Sequence, residues 1–240
     1  MIDIHTHILH TVDDGSDALE ESVAILQSAE SVGVTDIICT PHYLSQEEFN
    51  KKLVLKKFNE LKEEIKKKNI NINLHLGTEI AVYGRVDKLL EDKDLTSLAG
   101  SKYLLIEFPM AIDVDYVLDT VYEIKVRGFI PVIAHPERCE CFKRDYSLIT
   151  KAIKEGALIQ CNIDSLLGGN GTTAKRIIRS LLKEHKVDFL VTDIHSITNN
   201  RYERLPKAMK KVEKLVGKEY MYELFEHNAR KILLNENIEE

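Results

Sequence analysis

The chain alternates between short apolar runs and longer stretches in which apolar residues recur every three or four positions. The apolar runs are IDIH (2–5), DIICT (36–40), NLHLG (73–77), YLLIE (103–107), IPVIA (130–134), LIQCN (158–162) and DFLVT (188–192). Continuous Ile- and Val-rich strands separated by helices imply parallel strands covered on both faces. Asp17 and Glu20 give a D-x-x-E capping pattern around Leu19, Val23 and Leu26, with a stop near Gly33. Residues 47–68 predict a long helix whose Lys and Glu residues form a solvated face. Further helices are expected over 113–127, 146–155, 173–185, 203–216 and 219–234. No low-complexity linker or sequence repeat divides the chain. Repeated βα units therefore predict one α/β domain over residues 1–240, a barrel made irregular by having seven strands.

Composition narrows the partners. A chain of 240 residues can bury a full core, and a net charge of −6 argues against nucleic acid. There is no basic leader region, no bilayer-spanning apolar run and no lipidation signal. The first strand starts at Ile2, so nothing is expected to be removed. The four cysteines show no disulfide framework, and a cytoplasmic protein is expected.

Chemistry collects at the strand ends. In IDIHTH, Asp3, His5 and His7 share one parity, which places neighbours on one face roughly 6.5–7 Å apart. Alone, that is either a metal-gripping pair or the polar outer face of an edge strand. The other strands end in kind. After the first come Asp13 and Asp14, and then His42, Glu79, Glu107, His135 with Arg138, and Asp193 with His195. One polar residue after a strand is an ordinary turn or cap. Six of seven strands ending in His, Asp or Glu predict a metal cluster at the face where parallel barrels place their sites.

Other candidates have plainer readings. His75 reads as a hydrogen-bonded core histidine, and His10, His185 and His227 as surface or packing residues. Asp13 would cap or orient its loop; Asp3 would either support an imidazole or face a turn. Cys39 and Cys161 read as strand core, and Cys139 and Cys141 as surface or packing sulfur. No cysteine has an arginine six positions later, which excludes a Cys-x5-Arg phosphatase.

The ordered set HxH, DDG, TPH, E, IEFP, AHPER and TDxH resembles the polymerase and histidinol phosphatase (PHP) superfamily. It is most similar to the bacterial PHP-type protein tyrosine phosphatases of the CpsB/YwqE family, from Ile2 to about Leu234. The resemblance implies a distorted (β/α)7 TIM-like barrel holding three divalent metal ions, with manganese favoured. Mixed His and carboxylate donors also fit Fe, Zn or Co. It assigns His5, His7, Glu79 and Asp193 to the first ion, and a bridging Glu79 with Glu107 and His135 to the second. Asp14, His42 and His195 would hold the third, while Arg138 and Arg201 would bind the substrate phosphate.

Four carboxylates against three divalent ions leave a positive site, suited to a phosphomonoester dianion. Two ions about 3.5–4 Å apart can clamp phosphate and generate hydroxide near neutral pH. The implied activity is hydrolysis of phosphotyrosine by in-line attack of metal-bound hydroxide, without a covalent intermediate. The implied partner is the Tyr-rich tail of a tyrosine kinase controlling capsular or exopolysaccharide export. The loops YLSQEEFNKK after His42 and LLGGNGTT around 168–171 match no pattern. Two alternatives remain: a PHP phosphoesterase for a small phosphomonoester such as histidinol phosphate, and a metal-stabilised binding scaffold. A complete ligand set with two phosphate-type arginines argues against the scaffold.

Overall fold

The computed structural model describes residues 1–84, 86–110 and 112–238. Its strands are β1 (Ile2–Thr6), β2 (Asp36–Cys39), β3 (His42–Tyr43), β4 (Asn73–Leu76), β5 (Glu79–Ala81), β6 (Tyr103–Glu107), β7 (Ile130–Ala134), β8 (Leu158–Asn162) and β9 (Phe189–Val191). All pairings are parallel, in two ladders ordered β1-β2-β4 and β3-β5-β6-β7-β8-β9. A bridge from Thr6 to Ile194 brings β1 beside the end of β9. There the amide of His7 donates to Ile194 O (2.9 Å) and that of Asp193 to His5 O (3.0 Å). The strands thus close into a distorted (β/α)7 barrel.

Two of the seven expected strands are broken, and each break has a cause. The run 36–40 resumes as β3 beyond Pro41, which has no N–H for the ladder. The run 73–77 resumes as β5 beyond Gly77, where a Cβ would stand 3.1–3.2 Å from Leu98 and Ile38. The turn Leu98–Gly100 packs there, while β6 pairs with β5 and β7 and not with β4.

Helices Leu19–Ser31, Lys51–Lys67, Val114–Val126, Ser147–Lys154, Gly171–Lys183 and Leu205–Val216 lie close to expectation. The stretch 219–234 is instead Lys218–Tyr222, a π turn over Glu223–His227, and Asn228–Leu234. The capping pattern is also corrected. Ala18 sits at the N-cap, and Glu21 rather than Glu20 accepts from the Asp17 amide (2.9 Å). The other Glu21 oxygen accepts from the Ile197 amide (2.9 Å), which ties the loop after β9 to this helix. Helices Glu140–Arg144 and Ile163–Leu167 were not foreseen, being too short to show a period.

The larger apolar cluster lies between strands and helices. A smaller one gathers Ile4, Ile38, Leu105, Val132 and Phe189 from β1, β2, β6, β7 and β9, with Leu98 and Ile232 packed against them. Each such buried side chain stabilises the fold by roughly 1.5–3 kcal/mol. Gln160 and Asn162 of β8 are also fully buried, and their amides lead to the chemistry at the strand ends. Among the described residues no helix is long and apolar enough to cross a membrane.

Candidate metal centre

A register shift between Asp3 and Thr6 breaks the simple alternation of β1. Asp3 turns away from the site: its Oδ2 accepts from the hydroxyls of Thr192 (2.5 Å) and Tyr202 (3.0 Å), so it supports no imidazole. His5 and His7 converge instead, their Nε2 atoms 3.1 Å apart, and both are fully buried. The edge-strand reading of IDIHTH is thereby excluded.

Hydrogen bonds fix the tautomers of both rings. The Asp193 carboxylate can only accept, so Asn162 donates Nδ2 to it (2.6 Å). Asn162 Oδ1 then accepts from Gln160 Nε2 (2.8 Å), which leaves Gln160 Oε1 to accept from His5 Nδ1 (2.9 Å). His7 Nδ1 donates to Asp13 Oδ2 (2.8 Å). In the neutral rings, the form that binds a metal, both Nε2 atoms therefore carry lone pairs, and each lies 3.2 Å from Glu79 Oε2. Three acceptors meeting in a buried space repel one another unless a cation stands between them. This donor set fits metal ions.

Glu79 is the hub. Besides His5 and His7, its Oε2 faces His42 Nδ1 (3.1 Å) and its Oε1 faces His135 Nε2 (2.9 Å). His42 Nδ1 is buried and has no hydrogen-bond partner. Glu107 Oε1 stands 3.7 Å from His135 Nε2. On the outer side, Asp14 Oδ1 lies 3.3 Å from His42 Nε2 and 3.5 Å from His195 Nε2. Four overlapping sets bring one donor atom per residue within 4.8 Å: His5, His7 and Asp193; His5, Glu79 and His135; His42, Glu79 and Glu107; and His7, Asp14, His42 and His195. These could hold three ions much as the resemblance assigns them, with His5, His7, His42 and Glu79 each shared between two sets.

The backbone aims these groups. His135 and Asp193 adopt φ of +31° and +50°, left-handed values that cost a non-glycine residue strain and concentrate at functional sites. In the DDG turn, a Cβ on Gly15 would come within 1.9 Å of His7 O, so only glycine lets the loop lie on the His7 backbone. Asp13 holds that turn from inside, accepting also from the amides of His42 and Gly15, each at 3.0 Å.

Charge follows the same plan. Burial favours neutral rings at His5 and His7, yet the carboxylates outweigh it. Glu79 and Asp193 raise the pKa of His5, and Asp13 and Glu79 raise that of His7 well above normal. Burial works against ionised Glu79, but the histidines hold its pKa well below the usual range. Glu107 moves up, through burial and then the Glu79 charge. His195 falls to about 4, through burial and then His7. The carboxylates thus favour positive charge in the places that cations would take.

The arginines reach the site through Asp193. Arg138 Nη1 donates to Asp193 Oδ2 (2.9 Å). Arg201 Nη1 reaches the same oxygen (3.2 Å) and also donates to the carbonyls of Thr192 (2.8 Å) and Asp193. Both are thus anchored on a candidate metal ligand. Each keeps further N–H groups, and the Arg138 side chain is 37% exposed against 15% for Arg201.

Among the plainer candidates, His75 is half-buried and bonded to Asp36 (3.2 Å), on the rim of β4 rather than in the core. His10 packs between Lys57 and Glu60, and His185 stacks on Tyr220. Cys39 and Cys161 are core residues. Cys139 is buried with its sulfur 3.3 Å from Pro109 O and 3.0 Å from Cys141 Sγ. Gln160 and Asn162 went unnoticed. Their signal was two amides of one parity inside the apolar run LIQCN, on the one strand that supplies no candidate ligand.

The family model for capsular polysaccharide synthesis, CpsB/CapC, matches residues 1–234. The putative tyrosine-protein phosphatase CapC of Staphylococcus aureus is 35% identical over 239 residues, covering 99% of this chain and 93% of that protein. A solved structure from work on YwqE of Bacillus subtilis and CpsB of Streptococcus pneumoniae, unique metal-dependent tyrosine phosphatases, superposes with a TM-score of 0.91 at 33% identity. It covers 100% of this chain and 96% of that one. Histidinol phosphate phosphatase from Lactococcus lactis, solved with zinc, L-histidinol and phosphate, shares the fold at a TM-score of 0.55 and 12% identity, covering 88% and 93% of the two chains.

Proposed function

Because this chain belongs to the CpsB/CapC capsular polysaccharide synthesis family, we propose that it is a metal-dependent protein tyrosine phosphatase. Its substrate is a phosphotyrosine protein, and its biological target is the Tyr-rich tail of a kinase that governs polysaccharide export. Three ions occupy the site, manganese by preference. The observation that carries this reading is the convergence of His5 Nε2, His7 Nε2 and Glu79 Oε2, all acceptors, in a buried space.

When bound, the ions supply Lewis acidity toward phosphate oxygens and make water a better nucleophile near neutral pH. The chain's own residues do the rest. Gln160 and Asp13 hold His5 and His7 in the tautomer that presents Nε2. Glu79 joins the inner and outer histidines. Arg138 and Arg201, fixed on Asp193, aim their remaining N–H groups at the phosphate's non-bridging oxygens. No thiol takes part. Burial pushes the Cys39 and Cys161 thiols up. Cys139 is brought down to about 7 by Cys141, but its sulfur faces the Pro109 carbonyl.

Turnover of a phosphotyrosine peptide, histidinol phosphate and 4-nitrophenyl phosphate, side by side, tests the substrate. The peptide should show the highest kcat/KM. Preference for histidinol phosphate would make the enzyme a small-molecule phosphatase, and no turnover of any would leave a scaffold.

A further inference from the structure

One strongly charged surface lies outside the site. In a chain of net charge −6, helix Gly171–Lys183 carries Lys175, Arg176, Arg179 and Lys183 and no acid. Its neighbour Leu205–Val216 carries Lys207, Lys210, Lys211 and Lys214 against Glu213 alone. None of these cations forms an ion pair among the described residues, although ion pairs are common elsewhere on the surface. The first helix lines a groove of about 350 Å³ bordered by Thr172, Lys175, Arg176, Arg179 and Lys183. Lys211 is half-buried against the Leu166 carbonyl (2.8 Å) and feels the like charges of Lys175, Arg179 and Lys207. Lys175 and Arg179 of the first helix and Lys207 and Lys211 of the second, which packs against it, therefore share one seam.

The seam leads away from the candidate centre. Helix Gly171–Lys183 follows β8 through Ile163–Leu167, and the end of β8 is Asn162, which holds Asp193. Helix Leu205–Val216 begins four residues after Arg201. Both helices thus start at the site end of the barrel and run down its flank. Thirteen helical residues cover ~20 Å, the length of about six residues of extended peptide.

We propose that this seam is a docking surface for the flanking, multiply phosphorylated or acidic part of the polypeptide whose phosphotyrosine enters the site. The inference rests on the phosphotyrosine-protein reading above. Unpaired like charges repel one another, and a polyanion relieves that repulsion while steering encounter. A polypeptide is favoured over a lipid surface because no exposed large apolar side chain among the described residues lies on either helix. Surface-bound helices need such residues to enter the bilayer.

The test compares wild type with Lys175→Glu/Arg179→Glu/Lys207→Glu, and with the milder Gln substitutions at the same positions, all metal-loaded. Besides binding to phosphatidylglycerol vesicles, two readouts are taken. One is the kinetics of a peptide bearing several phosphotyrosines, the same peptide bearing one, and 4-nitrophenyl phosphate. The other is anisotropy of a labelled peptide carrying non-hydrolysable phosphonate analogues. The Glu variant should raise KM for the multiply phosphorylated peptide, and Kd for its analogue, about tenfold, and the Gln variant by less. Both variants should handle 4-nitrophenyl phosphate as wild type does. An unchanged Kd for the analogue in both variants would overturn the proposal. So would unchanged peptide binding with lost binding to phosphatidylglycerol vesicles, which would give the surface to a membrane. If wild type hydrolyses none of the phosphates, the phosphatase reading fails on its own, and the anisotropy still decides the docking surface.

Discussion

Asp13 and Asp14 are adjacent in sequence and stand in opposite halves of the site. The Asp13 carboxylate is 7% exposed, accepts from His7 and two backbone amides, and has its pKa pushed down to about 2. Asp14 is 70% exposed and, among the described residues, pairs only with His42 and His195, at 3.3 and 3.5 Å. The contrast extends to their neighbours. His5, His7, Glu79 and Asp193 are buried and each is braced by a second residue, whereas His42, His195 and Glu107 are partly exposed. The inner half is organised before any ligand arrives, and the outer half is where solvent and substrate enter. An inner substitution should therefore damage the whole centre, and an outer one should weaken a part that excess metal restores.

Glu79→Gln is the most severe test. It removes the hub charge shared by both halves, so metal content should fall by at least one ion and kcat/KM by roughly two orders of magnitude or more. A variant that keeps full metal content would break the distinction at its centre. Asp13→Asn comes next. It removes no ligand, yet should lower metal affinity about 10–100-fold, because a neutral amide oxygen replaces the carboxylate that fixes the tautomer of His7 and makes its Nε2 more basic. Asp14→Ala removes a proposed ligand and should still be rescued by added manganese. Titrating activity against manganese ranks the two, and an Asp14 variant beyond rescue would reverse the ranking.

The arginines come third. Charged hydrogen bonds contribute ~1.5–3 kcal/mol each, so Arg138→Ala and Arg201→Ala should each lower kcat/KM by roughly one to two orders of magnitude. Arg201 also binds two backbone carbonyls, so only its loss should lower the melting temperature as well. Unaltered kinetics in both variants would remove their role in binding phosphate.

The smallest effect is on metal-free stability against pH. Asp13 has a folded pKa of about 2, below its unfolded value of ~3.9. Its stabilisation is therefore fully present above about pH 4 and is lost as pH falls through about 2. Urea unfolding from pH 2 to 6 should show a shallower acid loss in Asp13→Asn than in wild type. Parallel curves would mean that the inner brace is not formed without metal.

Much of this was legible in the chain because strand ends and site ligands coincide in a parallel barrel. Seven apolar runs gave the barrel, and the His, Asp and Glu after six of them gave the residues that converge. What escaped depends on distance across the fold. The shift in β1 sends Asp3 toward Tyr202, 199 residues away, which no alternation rule foresees. Gln160 lies 155 residues from the ring it orients. The breaks after Cys39 and Leu76 follow from Pro41 and from the packing of Leu98 on Gly77, and only the proline is visible locally. The anchoring of Arg138 and Arg201 on Asp193 was hidden likewise, since spacing shows that a loop can reach the site but not what it grips.

The central claim is that metal ions gathered by these side chains, and no thiol, hydrolyse phosphotyrosine. One preparation tests it most directly: phosphotyrosine-peptide turnover after chelation, after manganese is returned, and after thiol alkylation with the metals in place. Chelation should abolish activity, manganese should restore it, and alkylation should leave most of it. Activity that survives complete metal removal, or that alkylation destroys while metal content stays unchanged, would contradict it.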